Sequence, residues 1–412
     1  MTRIIDDQVI LSRVPEGPLA AHIGSFVGSL REQGYALSSI RRHVSCNVGF
    51  SRWLKQNGIA VRSITPDQAA QYLRYRARRL PIGRSDRGIL SNLLKFLERN
   101  GIISARKIPA HRPTPAERCT QAYEHHLREA RGLAEATIDL YLPFTRSFLE
   151  DRFGDGPVTL SRLCARDVVR FVQRQAQRLR IKRAKLLTSA LRSFLQYARY
   201  RGDVKLDLSA AVPTVANWSM SSIPRAISAD QVRRLLASID RHTPMGRRDY
   251  AILLLLARLG LRAGAVTFLE LEDIDWKAGQ LRVRAKGRQR SELPLPAEVG
   301  KAIVSYLRHG RPKSNSRRVF LRAIAPIRGL NGHTAIAHII ERCLQRAGID
   351  APTNGAHQFR HGLATEMLRA GASLSEIGEL LDHRSPETTK IYIKVDLDAL
   401  RTLAPPWPGG VQ

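Results

Sequence analysis

A chain of 412 residues is long enough for two to four domains and several buried cores. Its 67 Lys+Arg against 36 Asp+Glu give a formal net charge of +31, rich in arginine and interleaved with apolar helix faces, which reads as a folded protein wrapped on a polyanion rather than a disordered basic arm. A membrane role is disfavoured because the longest apolar run, Ala251 to Ala257, is far too short to span a bilayer and the N-terminus lacks a signal-peptide h-region, while four scattered cysteines suggest neither a disulfide framework nor a zinc site. The expected place is the cytoplasm, with nucleic acid.

The first segment, residues 1–105, reads as short helices. Leu19, Ile23, Phe26, Val27 and Leu30 recur at helical spacing before Gly34, and Ile40, Val44, Val48 and Trp53-Leu54 mark a second helix. Thr65-Pro66-Asp67-Gln68 is a capping box that opens a third, and Ile89 to Leu97 gives a fourth, ended by Asn100-Gly101. Residues 110–212 repeat the plan. Thr114-Pro115-Ala116-Glu117 caps the first helix there, Leu127-Arg128-Glu129 echoes Leu30-Arg31-Glu32, and Phe194-Leu195 echoes Phe96-Leu97, so a tandem duplication of one small helical domain is expected. Arg178, Arg180, Lys182, Arg183, Lys185, Arg192, Arg199 and Arg201 gather around its last two helices and are the candidate face for a polyanion. In the first copy, Arg74, Arg76, Arg78, Arg79, Arg84 and Arg87 concentrate charge in the same way.

From about Ser209 to Pro224 the composition shifts to Ala, Val, Pro, Ser and Asn, which places a linker at 213–224. A further domain is expected over 225–412. Ser228 to Gln231 is another capping box, followed by helices through Ile239 and from Arg248 to Leu259, after which Gly260-Leu261-Arg262 follows directly. Leu281 to Arg284 and Glu292 to Leu295 are the convincing strands, joined by a basic turn with Lys286 at its tip and Arg288 and Arg290 beside it. A long helix over Thr334 to Ala347 leads to the most informative stretch, His357 to Tyr392.

There, His357 and Arg360 stand one turn apart at the start of a helix, on a face that could hold a phosphate. The helix closes at Ala370-Gly371, Ser373 and Glu376 box the next one, His383 falls in the following turn, and Ser385-Pro386 starts a short helix that carries Tyr392.

Arg262 after Leu-Gly-Leu, Lys286 in a hairpin turn, His357-x-x-Arg360-His361, and His383 nine residues before Tyr392 resemble, in order and spacing, the catalytic domain of the tyrosine recombinases, the phage integrase family. The resemblance covers about residues 224–400. It implies a mainly α fold with a small antiparallel β-sheet in the catalytic domain, preceded by helical SAM-like core-binding domains. It implies that Arg262, Arg360, Lys286, His357, His383 and Tyr392 act on one phosphate, with tyrosine as nucleophile. The expected function is site-specific DNA strand exchange through a 3′-phosphotyrosine, integrating or transposing a mobile element, and the alternative is a non-catalytic DNA-binding accessory or regulatory protein on the same scaffold. The expected partners are double-stranded DNA at specific recombination sites and further protomers, as a homo-oligomer that is a tetramer in the synaptic complex, or as a hetero-assembly with related recombinases.

The chemistry agrees with these residue types. A tyrosine hydroxyl leaves a covalent phosphodiester that a DNA 5′-hydroxyl can later attack, so no ATP, metal or other cofactor is expected. Two arginines can clamp the charge on the non-bridging oxygens. The phenol needs a proton acceptor and the departing 5′-oxygen a donor, for which His357 and Lys286 respectively are the expected groups, with His383 on the phosphate. The chain departs from the family pattern in three places: Ala265, where an acidic residue commonly stands; Gly362, where Ser or Thr is usual; and Asp382, where Gly is usual. A carboxylate beside a phosphate site is not expected, which places Asp382 pointing away.

Overall fold

The computed structural model describes residues 16–78, 85–103, 113–215, 225–284, 290–383 and 385–395. The chain folds as two compact units, Met1–Arg106 with Ser222–Gln412, and Lys107–Ser221. Most of the predicted linker lies outside the described residues.

In the first unit, helices α1 (Ala20–Glu32), α2 (Leu37–Gln56), α3 (Pro66–Ala77) and α4 (Asp86–Arg99) enclose their own core around Leu30, Ile40, Phe50, Leu54 and Leu97. The second unit has the same order of elements: α5 (Pro115–Glu129), α6 (Glu135–Phe153), α7 (Ala165–Ala176) and α8 (Ile181–Tyr200) around Tyr123, Phe148, Phe171 and Phe194. A single 3₁₀ turn separates the second and third helices in both, at Val61–Ser63 and at Leu160–Arg162. Local signals explain these boundaries. Thr114 accepts from the Glu117 amide at 3.1 Å while the Glu117 carboxylate accepts from the Thr114 amide at 2.8 Å, so two otherwise orphaned donors are satisfied at the start of α5.

The remainder of the first unit holds α9 (Ala229–Ala237), α10 (Pro244–Leu259), α11 (Ala263–Phe268), a three-stranded sheet, α12 (Ala297–His309), α13 (Gly332–Ala347), α14 (His357–Arg369), α15 (Leu374–Leu380), α16 (Pro386–Thr389) and a 3₁₀ turn, Lys390–Val395. The sheet is antiparallel in the order β1 (Ile274–Asp275), β2 (Gln280–Arg284), β3 (Arg290–Pro294), with Leu281 opposite both Ile274 and Leu293. Sequence alone did not reveal β1, since two residues are too few to show alternation. The N-terminal helices reach this part of the chain at one loop, where the Ile327 amide donates to the Gln33 carbonyl at 2.9 Å.

Helix α10 is the centre of the larger core. Ala251 to Leu256 are all 0 % exposed, so it is apolar all round, as a helix enclosed by others must be. Its polar start is also buried: Arg248 binds the Asp249 carboxylate through Nε at 2.9 Å and the Leu321 carbonyl through Nη1 at 3.0 Å, and Arg342 reaches the other Asp249 oxygen at 2.5 Å. Helix α14 packs beside α10 and is crossed by the extended residues 225–228, whose Ile227 amide donates to the Gln358 carbonyl at 3.3 Å. The crossing explains Gly362: a Cβ there would lie 2.6 Å from the Ile227 carbonyl oxygen, a backbone atom with little freedom to retreat.

Gly362→Ser should therefore lower the stability of this part of the protein by about 1–3 kcal/mol, the usual cost of overpacking a tight contact. Thermal unfolding against the wild type measures it, and an unchanged midpoint would refute the close approach.

Candidate active site

The site forms where three helix ends meet. Gly260 caps α10 in the left-handed conformation, φ +57°, and a Cβ there would sit 2.7 Å from Leu381 Cδ2, so both the turn and the packing call for glycine. This tight turn sends the chain to Arg262, the N-cap residue of α11. Arg360, in the first turn of α14, is 6 % exposed. Its Nη1 donates to the Gly260 carbonyl at 2.9 Å and its Nη2 donates to the Leu381 carbonyl, just past α15. A buried guanidinium is thus held by two helix-terminal carbonyls that lack partners within their own helices. Burial, and then Arg262 nearby, push its pKa down to about 10, so it stays charged at neutral pH.

Asp382 does not point away. Arg262 Nη1 donates to its Oδ2 at 2.8 Å and Arg262 Nη2 donates to its backbone carbonyl at 2.8 Å. Both side chains are about one-third exposed. The physical reason is the turn after α15: with φ +50° at Asp382, the residue's carbonyl and carboxylate both face Arg262, a conformation that Asp tolerates better than most residues. The carboxylate missing at Ala265 is therefore replaced by one from the other side of the site.

Tyr392 lies in the terminal 3₁₀ turn rather than in α16, its side chain 1 % exposed against Ala364, Ile377 and Leu381. Burial raises the phenol's pKa and the nearby Arg360 partly offsets this. Two imidazoles flank the ring. His383 lies parallel to it, at 8° with centroids 6.4 Å apart, and its Nδ1 is 2.8 Å from Thr389 Oγ1. His361 approaches the hydroxyl itself, with Nδ1 3.0 Å from the Tyr392 oxygen. Sequence reasoning quoted His361 only as part of the motif and gave it no role. His357, the expected proton acceptor, is exposed at the first position of α14, its ring centroid 6.4 Å from that of His361. Arg360, Arg262, His361, His383 and Tyr392 are thus brought together. Lys286 and Arg288 lie outside the described residues, and Arg290 opens β3.

In the second unit, Arg178, Arg180, Lys182 and Arg183 are exposed and Lys185 half-buried at the corner where α7 gives way to α8. Arg183 also lies over the Phe144 ring, 5.5 Å from its centroid. The other three basic residues of that cluster serve the fold: Arg192 donates to the Val212 carbonyl at 2.9 Å, Arg199 pairs with Asp207 at 2.8 Å and Arg201 with Asp203 at 3.4 Å. Arg76 of the first unit is likewise engaged, with Asp86 at 3.4 Å and the Tyr72 hydroxyl at 3.2 Å.

Comparison with known proteins agrees with this arrangement. Residues 225–398 match the Phage integrase family. A protein of Sinorhizobium fredii named as an integrase/recombinase is 56 % identical over 412 residues, all of both chains. The chain belongs to the phage integrase family of tyrosine recombinases. The tyrosine recombinase XerD of Bifidobacterium longum is 30 % identical over 295 residues, covering 69 % of this chain and 94 % of its own. The fold is shared with the XerH site-specific recombinase in a post-cleavage complex with palindromic difH substrate, at TM-score 0.56 and 19 % identity over 70 % of this chain and 84 % of the other. A lambda integrase dimer bound to a COC′ core site aligns at TM-score 0.51 and 16 % identity over 76 % and 87 % of the two chains. This recombinase is a site-specific DNA strand-exchange enzyme by family, mainly α with a small antiparallel sheet.

The charges around the recombinase's tyrosine set a testable pH response. Burial first, then Arg360 and Arg262, hold His383 down to about 4, against the opposing pull of Asp382. Below its ordinary pKa near 6.5 the unfolded chain therefore binds a proton that the folded one refuses, so this group's contribution falls as pH drops from about 6.5 toward about 4. A histidine-resolved NMR titration should show His383 neutral above about pH 5. Arg262→Ala should move its midpoint up and Asp382→Asn should move it down; an ordinary midpoint in the wild type would refute the electrostatic account.

Proposed function

We propose that this recombinase cleaves and rejoins DNA through a 3′-phosphotyrosine at Tyr392. The observation that carries the reading is the position of the Tyr392 phenol, beside the buried Arg360 and hydrogen-bonded to an imidazole, with Arg262 and Arg360 bound to successive residues of the Leu381-Asp382 turn. Two guanidiniums and one carboxylate leave a single positive charge in excess, which suits one phosphodiester. The arginines would hold the non-bridging oxygens as charge grows on them in the transition state. Tyr392 would attack phosphorus and form the covalent bond, while the P–O5′ bond breaks and Lys286 protonates the leaving oxygen. His383 would hydrogen-bond the phosphate, and His357 stands at the exposed rim. Because the Tyr392 ring is buried, DNA engagement has to shift the short α16 and 3₁₀ segment enough to expose the phenol without carrying it out of reach of α14.

The partner is double-stranded DNA at specific recombination sites. The exposed corner formed by Arg178, Arg180, Lys182, Arg183 and Lys185 supports this, since sequence-independent phosphate contacts supply most of the affinity of such proteins. Arg288 and Arg290 would contact the DNA backbone as well. The integrase name of the Sinorhizobium fredii relative supports a role in integrating or transposing a mobile element. A lambda integrase tetramer bound to a Holliday junction, which shares the fold at TM-score 0.51, supports assembly as a tetramer of this chain or with related recombinases. Ala265 and Asp382 are the departures that keep a non-catalytic scaffold in view; the pairing of Asp382 with Arg262 supports the enzyme.

A nicked suicide substrate carrying the correct site should trap a detergent-stable protein–DNA adduct. Tyr392→Phe should abolish it while leaving DNA affinity within about two-fold, because a single buried hydroxyl is lost. An undiminished adduct from the Phe variant would remove Tyr392 from the mechanism.

A further inference from the structure

The mechanism requires a group that takes the phenol's proton as the oxygen attacks, and His357 was expected to do so. We propose that His361, the residue immediately after Arg360, is the catalytic proton acceptor for Tyr392. The inference rests on the nucleophilic role of Tyr392 proposed above.

Its basis is geometric. His361 Nδ1 and the Tyr392 oxygen are 3.0 Å apart, within the range in which a hydroxyl donates to an imidazole nitrogen. The rings are tilted by 60° with centroids 5.7 Å apart, so the contact runs through the polar edge of the imidazole and not through ring stacking. The backbone fixes the imidazole where it is needed: His361 lies in the second turn of α14, its carbonyl accepts from Thr365 Oγ1 at 2.8 Å, and its ring is half-buried. With the ring proton on Nε2, Nδ1 presents a lone pair to the phenol.

The charged and titratable groups facing His361 are His357 and Arg360 from its own helix, Tyr392 from the 3₁₀ turn and His383 from the turn after α15. Burial, followed by His357 and Arg360, holds its pKa below the ordinary imidazole value, which keeps it neutral and able to accept at physiological pH. The step balances. The Tyr392 oxygen forms a bond to phosphorus, its proton passes to His361 Nδ1, the P–O5′ bond breaks, and the 5′-oxygen leaves as a hydroxyl after taking a proton from Lys286. The imidazolium formed beside Arg360 would be disfavoured in the free protein. It becomes tolerable when the phosphate between the arginines gains negative charge, so the acceptor is strengthened at the moment it is used.

The test is the rate of covalent adduct formation on a nicked suicide substrate. Asparagine places a carbonyl oxygen close to where Nδ1 lies, so His361→Asn keeps a hydrogen-bond partner for the phenol but cannot carry its proton away. It should slow adduct formation by about 100-fold or more with DNA affinity unchanged. His361→Ala should be slowed similarly, and added imidazole should restore part of its rate in proportion to concentration. If the alanine variant does not fold, the asparagine variant decides alone. A His361→Asn protein that forms adduct within about two-fold of the wild-type rate overturns the proposal and returns the role to another base. Wild-type protein that forms no adduct at all would instead remove the nucleophile assignment on which the inference rests.

Discussion

The site depends on burying one guanidinium without leaving it unpaired. A cation at 6 % exposure is costly unless its N–H groups are all matched, and side chains able to do so would bring further charge into the core. The protein instead uses backbone. The carbonyls of Gly260 and Leu381 lie where α10 and α15 have ended, so they have no helical partner and sit at the negative ends of two helix dipoles. One interaction thereby fixes the relation of α10, α14 and the turn after α15. Asp382, the residue after Leu381, is delivered to Arg262, the second residue after Gly260, and the two arginines are registered to each other through a pair of backbone turns.

The histidines follow from those charges. Burial is the larger effect on both imidazoles; beyond it, protonating His361 adds a cation beside His357 and Arg360, and protonating His383 adds one beside Arg360 and Arg262, so both pKa values are lowered. The tyrosine receives the opposite electrostatic push from Arg360, which favours the phenolate and partly offsets its burial. The arrangement therefore holds the imidazoles neutral and makes the phenol easier to ionise than burial alone would allow. Neutrality leaves the imidazole able to accept, but the same cations weaken it as a base, so transfer from the phenol is uphill in the free protein and eases only when a phosphate brings negative charge between the arginines.

What could be read from the sequence was local or ordered along the chain. The capping boxes at Thr114, Ser228 and Ser373 involve residues three apart, and all three are formed. The helices followed from apolar periodicity, and the succession of Arg262, Arg360 and Tyr392 was enough to point to the family. What could not be read were contacts between distant positions. Arg262 and Asp382 are 120 residues apart in sequence, His361 and Tyr392 are 31 apart, and neither spacing has a pattern of its own. Gly362 and Asp382 both looked like departures from a motif because their causes, the extended segment crossing at Ile227 and the need of Arg262 for a carboxylate, lie outside the motif. In the basic cluster of α7 and α8, composition does not distinguish Arg192, tied to carbonyls at the end of its own domain, from Arg180, which is exposed.

The way Tyr392 is buried matters as much as the fact that it is. The core around α10 is large and continuous, whereas the tyrosine packs in a separate cluster whose buried members are Ala364, Ile377, Leu381 and Tyr392 itself. The segment that carries it is a four-residue helix and a 3₁₀ turn. Shifting such a segment costs much less than unfolding the domain, so the phenol can move toward a phosphate while α10, α14 and the arginines hold still. Two imidazoles anchor it, His383 at Thr389 and His361 at Tyr392, the second being the group proposed to take the phenol's proton. Dividing the domain into one large core and one small one thereby gives a single chain both a movable tyrosine and a rigid frame of arginines.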